Sequence, residues 1–268
     1  MSDEKSTRMR AFAGNSYEDY YDHAMADFPW TARLVMNIVV AACWAFTKLV
    51  WPWKIEQAEL LTEDARGRVI IQNHESMVEP VIMVVTLWHA GIHTRIVYKS
   101  EFDKIGIATW LFSRVGGFPV SRGTADMKVV RRARAMLQRG ECVLIYPEGT
   151  RVKDDAQAKV HGGYALMAQM AKAPVQPVAV IGARNLRVRS RVWLKAGRPV
   201  EWSEIDAPSA ASRSPRWRRS AWAASSSSGT SYARPIPDWS RRGTNRHRIR
   251  GGRLLRRRAR PADGRARR

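Results

Sequence analysis

Between residues 55 and 208 the sequence predicts an α/β fold, with a mixed, largely parallel sheet flanked by helices. Three observations predict it. Short β-branched runs recur along the chain, stretches with helical spacing separate them, and glycines stand where the two alternate. The first strand is expected at 69–72, after Arg66-Gly67, and the apolar stretch 80–90 follows as a helix. A second strand at 96–98 precedes a helix over 105–115, closed by Gly116-Gly117. A third short strand covers 118–120. Met127, Val130, Ala133, Met136 and Leu137 lie at helical spacing within 126–138, and Gly140 stands just past that helix. A strand at 142–146, a helix at 163–171 and strands at 175–181 and 192–196 complete the pattern.

The flanks differ in texture. Residues 1–28 are polar and acidic-aromatic and read as a mobile arm or a short surface helix. Residues 29–54 read as a membrane-associated helical segment. From Leu34 to Val50 the run is apolar except for Asn37, Thr47 and Lys48, which is marginal against the roughly 20 residues a spanning helix needs. Trp30, Trp44, Trp51 and Trp53 suit a membrane interface, and Lys48 and Lys54 can snorkel there. A buried core helix is the plainer alternative. The start MSDEKSTRMR is not followed by the apolar region of a signal peptide, so export is not expected.

The formal net charge of +22 is concentrated in one place. Residues 209–268 hold 18 Arg, no Lys, two Asp and no Glu, a net +16, which leaves +6 for residues 1–208. With almost no aliphatic residues, this tail is expected to be disordered. Its complete lack of Lys suggests the product of a reading-frame shift. The mildly basic body suits an anionic lipid surface or a phosphorylated substrate. Cys43 and Cys142 both lie in apolar runs and read as buried thiols of a reducing compartment.

Three segments carry candidate chemistry. In Gln72-Asn73-His74-Glu75-Ser76-Met77-Val78-Glu79-Pro80 a strand ends and a helix opens, where α/β proteins present reactive groups. His74 and Glu79 are five apart, so a turn can return the carboxylate to the imidazole, fix its tautomer and leave the other nitrogen to take a proton. A His-Glu pair that merely caps a loop has the same spacing. In Tyr146-Pro147-Glu148-Gly149-Thr150-Arg151, Gly149 permits close backbone approach, Thr150 adds a hydroxyl and Arg151 offers a fork for phosphate. In Gly116-Gly117-Phe118-Pro119-Val120-Ser121-Arg122 a cation again stands at a strand end.

Together, and in this order, these segments resemble the glycerophospholipid acyltransferase family, in particular its bacterial 1-acylglycerol-3-phosphate acyltransferases. Asn73, His74, Ser76 and Glu79 match the first family block. Gly117, Phe118, Val120 and Arg122 match the second, Tyr146 to Arg151 the third, and Val175 to Ala179 the fourth. The resemblance covers about residues 30–205. One departure is Glu79, where the family usually has Asp. The resemblance implies that His74, oriented by Glu79, deprotonates the free hydroxyl of lysophosphatidic acid, which attacks the thioester of acyl-CoA or acyl-carrier protein. Arg122, Arg151 and Lys99 would bind the phosphate, while Gly117, Glu148, Gly149 and Thr150 would shape the acceptor site. It implies no metal or bound cofactor, and a place at the cytoplasmic face of the cell membrane. Other acceptors, such as glycerol-3-phosphate or another lysophospholipid, stay open, and nucleic-acid binding through the tail is the reading from another class. His89 and His93, four apart but split by Gly91, are not expected to ligate metal, and His161 reads as a loop histidine.

Overall fold

The computed structural model describes residues 9–11, 14–63, 66–121, 126–151 and 161–205. The basic tail and Arg122 lie outside the described residues. Seven strands form one sheet: β1 (Trp53–Glu56), β2 (Val69–Gln72), β3 (Thr94–Lys99), β4 (Phe118–Val120), β5 (Cys142–Ile145), β6 (Val175–Ile181) and β7 (Val192–Ala196). Their order is β1-β7-β6-β2-β5-β3-β4, and every neighbouring pair is parallel except β6 with β7. The helices are α1 (Tyr17–Asp22), α2 (Trp30–Val50), α3 (Glu59–Thr62), α4 (Glu79–His89), α5 (Gly106–Arg114), α6 (Met127–Gln138) and α7 (Gly163–Ala171). The expected strands and helices are present, with ends shifted by one or two residues.

Burial follows from topology. β2 is central and all four of its residues are buried, as expected of a parallel strand covered on both faces. α6 is amphipathic: Val129, Val130, Ala133, Met136 and Leu137 are buried, and Asp126 caps its start by accepting from the amides of Lys128 and Val129 at 3.0 and 3.3 Å. Gly67 marks where α6 crosses closest to the chain entering β2. A Cβ at Gly67 would stand 2.2 Å from Leu137 O and 2.8 Å from Glu141 O. Both obstacles are backbone and cannot swing aside, so Gly67→Ala is expected to destabilise the fold by about 1–3 kcal/mol, read as a lower denaturation midpoint.

Three expectations change. First, of the two readings of the N-terminal residues the short helix is present, as α1, but residues 17–28 pack into the core instead of lying on the surface. α1 opens on a capping box between Ser16 and Asp19, and Tyr20, Tyr21, Met25 and Phe28 are buried. Polar composition concealed this because much of the hold is on its main chain, by Arg95, Arg139 and Glu141, beside the buried side chains. Second, the expected boundary between residues 54 and 55 falls inside β1, whose Trp53 and Lys54 pair with Val192 and Trp193. Third, Trp53 and Lys48 are not membrane anchors. Trp53 is buried and its indole N–H donates to Thr47 Oγ1 at 3.2 Å, while Lys48 Nζ lies 3.4 Å from the centre of that ring and donates to Trp53 O at 2.9 Å.

α2 itself keeps its apolar character. It buries a narrow stripe of Ala32, Met36, Val40 and Thr47, which packs on α4 and α5. Leu34, Ile38, Phe46 and Leu49 stay exposed. Only 17% of its most apolar window is buried, so the core-helix alternative accounts for one stripe and leaves the rest of the surface unexplained.

Candidate active site

The C-terminal ends of β2, β3, β4, β5 and β6 share one edge of the sheet, because these five strands run parallel. β2 delivers His74 there and β5 delivers Tyr146-Pro147-Glu148. The two segments are neighbours because Ile71 pairs with Ile145. Pro80 sits in the first turn of α4, where its missing N–H costs nothing, so the chain turns sharply between the strand and that helix.

That turn returns Glu79 to His74. Glu79 Oε1 lies 2.7 Å from His74 Nδ1, with the carboxylate fully buried and the His74 side chain 13% exposed. The same oxygen accepts from the amides of Glu75 and Ser76 at 2.7 and 2.9 Å. Oε2 accepts from the Ser76 amide at 2.7 Å and from the Ser76 hydroxyl. So many donors, at the first turn of a helix, fit an ionised carboxylate. His74 Nδ1–H therefore donates to Glu79, and Nε2 is left as the basic nitrogen.

Two contacts from β5 complete the setting. Glu148 Oε2 accepts from the His74 amide at 2.7 Å. The Tyr146 ring lies against the imidazole, with centroids 4.4 Å apart and planes 34° from parallel. Burial pushes the Tyr146 phenol well above its usual value, and the negative charges of Glu79 and Glu148 push it further. Its buried hydroxyl has no hydrogen-bond partner among the described residues. Tyr146→Phe keeps the ring and removes that orphan, so it is expected to raise stability by about 1 kcal/mol in thermal unfolding.

The remaining expected residues fall into three groups. Gly149 adopts a left-handed φ of 67°, and His161 comes within 3.4 Å of where its Cβ would be, so the loop histidine stands beside the Pro-Glu-Gly-Thr-Arg turn; Thr150 and Arg151 are exposed at its end. Lys99 closes β3 on the same edge, with Nζ 2.6 Å from Glu101 Oε1. Gly117 is different. It is buried before β4 begins, and a Cβ there would stand 3.1 Å from both Phe112 O and Tyr98 Cδ1. Packing against Phe112 and Tyr98 leaves little room for a side chain there. His89 and His93 face the rings of Trp44 and Trp88.

Sequence reasoning missed the clamp on the turn that carries His74. The Asn73 side chain grips one residue near the C-terminal end of β6, accepting from Val180 N–H at 2.7 Å and donating to Val180 O at 2.9 Å. Glu75 reaches the chain beyond β6, accepting from Ala183 N–H at 3.2 Å.

Residues 53–181 match the family model described as Acyltransferase. Over those residues the chain carries the acyltransferase domain of the glycerophospholipid acyltransferase family. It is 29% identical over 155 residues to a 1-acyl-sn-glycerol-3-phosphate acyltransferase of Bacillus subtilis, covering 57% of this chain and 75% of that one. It is 34% identical over 88 residues to a lyso-ornithine lipid O-acyltransferase of Pseudomonas aeruginosa, covering 32% and 34%. Its fold is similar to that of the crystallised 1-acyl-sn-glycerophosphate (LPA) acyltransferase PlsC of Thermotoga maritima, with a TM-score of 0.52, 21% identity and coverage of 67% and 72%. The protein is an acyltransferase, and its largely parallel sheet flanked by helices and its apolar N-terminal helix agree with the fold class the sequence predicts.

Proposed function

We propose that this acyltransferase moves a fatty acyl group from the thioester of acyl-CoA or acyl-carrier protein to the free hydroxyl of 1-acylglycerol-3-phosphate, giving phosphatidic acid for phospholipid synthesis. The observation that carries the reading is the His74–Glu79 pair at 2.7 Å on the edge shared with the Pro-Glu-Gly-Thr-Arg turn. Nε2 takes the proton of the acceptor hydroxyl as its oxygen attacks the thioester carbonyl. The C–S bond then breaks, and the departing thiolate takes the proton back from the imidazolium. A positioned base contributes about 100- to 10,000-fold, and bringing two substrates together contributes more. Arg151 and Lys99 supply cations for the acceptor phosphate, and Arg122 is the third residue proposed for that work. Glu148 and Gly149 fix the turn that faces the acceptor.

α2 supports a membrane location, proposed here at the cytoplasmic face, where such donors are found. The likeness to the Pseudomonas enzyme favours one second reading, a lyso-ornithine lipid acceptor. Thiol release from acyl-CoA or acyl-carrier protein, measured with each acceptor and with none, tests both. Release stimulated by lysophosphatidic acid alone supports the proposal. Stimulation by the lyso-ornithine lipid alone replaces it with the second reading, and acceptor-independent thioester hydrolysis defeats both.

A further inference from the structure

The loop over residues 182–191 joins β6 to β7 and carries Arg184, Arg187, Arg189 and Arg191 with no acidic residue. It leaves the sheet at the edge that presents His74, since β6 runs parallel to β2 with Val178 beside Gln72. Backbone bonds fix it to the end of α2. Arg189 N–H donates to Val50 O at 2.7 Å, and Val192 N–H donates to Pro52 O at 3.1 Å. The turn closes on itself, because Ser190 N–H reaches Arg187 O and Arg187 N–H reaches Ser190 Oγ, both at 2.9 Å. Arg189 takes a left-handed φ of 65° to complete it.

This construction places two aliphatic side chains beside one hydrogen bond. Leu49 is 81% exposed and Val188 is 78% exposed, and each adjoins one partner of the Arg189–Val50 bond. Arg187 and Arg189 flank Val188, and among the described residues Arg187, Arg189 and Arg191 make no ion pair. Arg184 is also exposed but is paired, 3.6 Å from Glu75 Oε1. Exposed aliphatics ringed by guanidinium groups, continuous with an apolar helix, match the boundary of an anionic bilayer: aliphatics enter the acyl region and guanidinium groups meet phosphates.

We propose that loop 182–191 is a membrane contact in its own right, seated on anionic lipid headgroups beside the end of α2. The proposal rests on the reading of α2 as membrane-associated and adds a second, charge-dependent contact to it. Seated there, the loop holds the catalytic edge at the headgroup layer, where a phosphate-bearing acceptor resides. Through Glu75 it steadies the residue next to His74.

The test places an environment-sensitive dye on Val188→Cys in the full chain, with Cys43 replaced by Ser. Vesicles are of phosphatidylcholine alone or with one third phosphatidylglycerol, at low and high salt, and sedimentation reports binding separately. The dye is expected to report an apolar setting on the anionic vesicles at low salt only. With Arg187, Arg189 and Arg191 all changed to Gln, the anionic lipid needed for half the response is expected to rise about 100-fold, at about fivefold per arginine. A dye that stays in water while the protein sediments with vesicles overturns the loop contact and leaves the α2 reading standing. Failure to sediment with either vesicle overturns both. A response to polynucleotide and not to vesicles overturns the proposal in favour of a nucleic-acid surface.

Discussion

Replacing His74 with alanine is expected to lower acceptor-dependent thiol release by about 100- to 10,000-fold while costing only about 1 kcal/mol of stability. The two effects separate because Glu79 does not depend on the imidazole. Without it, the carboxylate still accepts from two backbone amides and the Ser76 hydroxyl. Glu79→Gln should behave differently. An amide NH2 would meet the backbone N–H of Ser76 at either oxygen position, and that of Glu75 at one of them, donor against donor in a position with no solvent exposure. That costs about 1–3 kcal/mol for the unmet groups, and the imidazole loses the partner that sets its tautomer. The expected pattern is therefore activity lost with the fold intact for His74→Ala, and both lowered for Glu79→Gln. Thiol release and chemical denaturation of the two variants read it directly. A His74→Ala protein with undiminished acceptor-dependent release would remove His74 from the mechanism.

The His74–Glu79 pair was legible because its five-residue spacing encodes a single turn between a strand and a helix opened by Pro80. Local chemistry of that kind survives in a sequence. The contacts from Tyr146 and Glu148 were not legible, since they arise from β2 lying next to β5 while β3 and β4 intervene in the chain. Strands rich in Val and Ile announced themselves, as at residues 69–72 and 175–181. β1 did not, although Trp53-Lys54-Ile55-Glu56 alternates like a strand, because its tryptophan adjoins an apolar helix and suggested an interface anchor. Only pairing with β7, far along the chain, shows that Trp53 belongs to the sheet. The burial of residues 17–28 was hidden for a related reason. Side-chain composition does not report the carbonyls of Tyr20, Asp22 and His23 and the Met25 amide, through which distant residues grip this segment.

That segment yields the largest expected stability effect. Arg95 is fully buried at the side-chain level, and its guanidinium donates to Tyr20 O at 2.8 Å, His23 O at 2.5 Å and Glu141 Oε1 at 2.9 Å. Glu141 also accepts from Met25 N–H at 2.6 Å and from Arg139 at 3.2 Å. Burial pulls the Arg95 guanidinium below its usual value, and the Glu141 carboxylate draws it back. Glu141→Ala leaves that cation without its counter-charge, which costs about 3–5 kcal/mol and lowers the melting temperature by about 6–20 °C for a domain of this size. Arg95→Met combined with Glu141→Ala removes both charges, so the double variant is expected to be more stable than Glu141→Ala alone, a coupling that a double-mutant cycle measures. Limited proteolysis adds a local readout. Cleavage within residues 17–28 should accelerate in Glu141→Ala before the sheet unfolds, because the Met25 amide and the carbonyls of Tyr20 and His23 are what the pair holds in place. If cleavage there tracks global unfolding instead, the segment is an inseparable part of the core and the ion pair stabilises the whole domain through it.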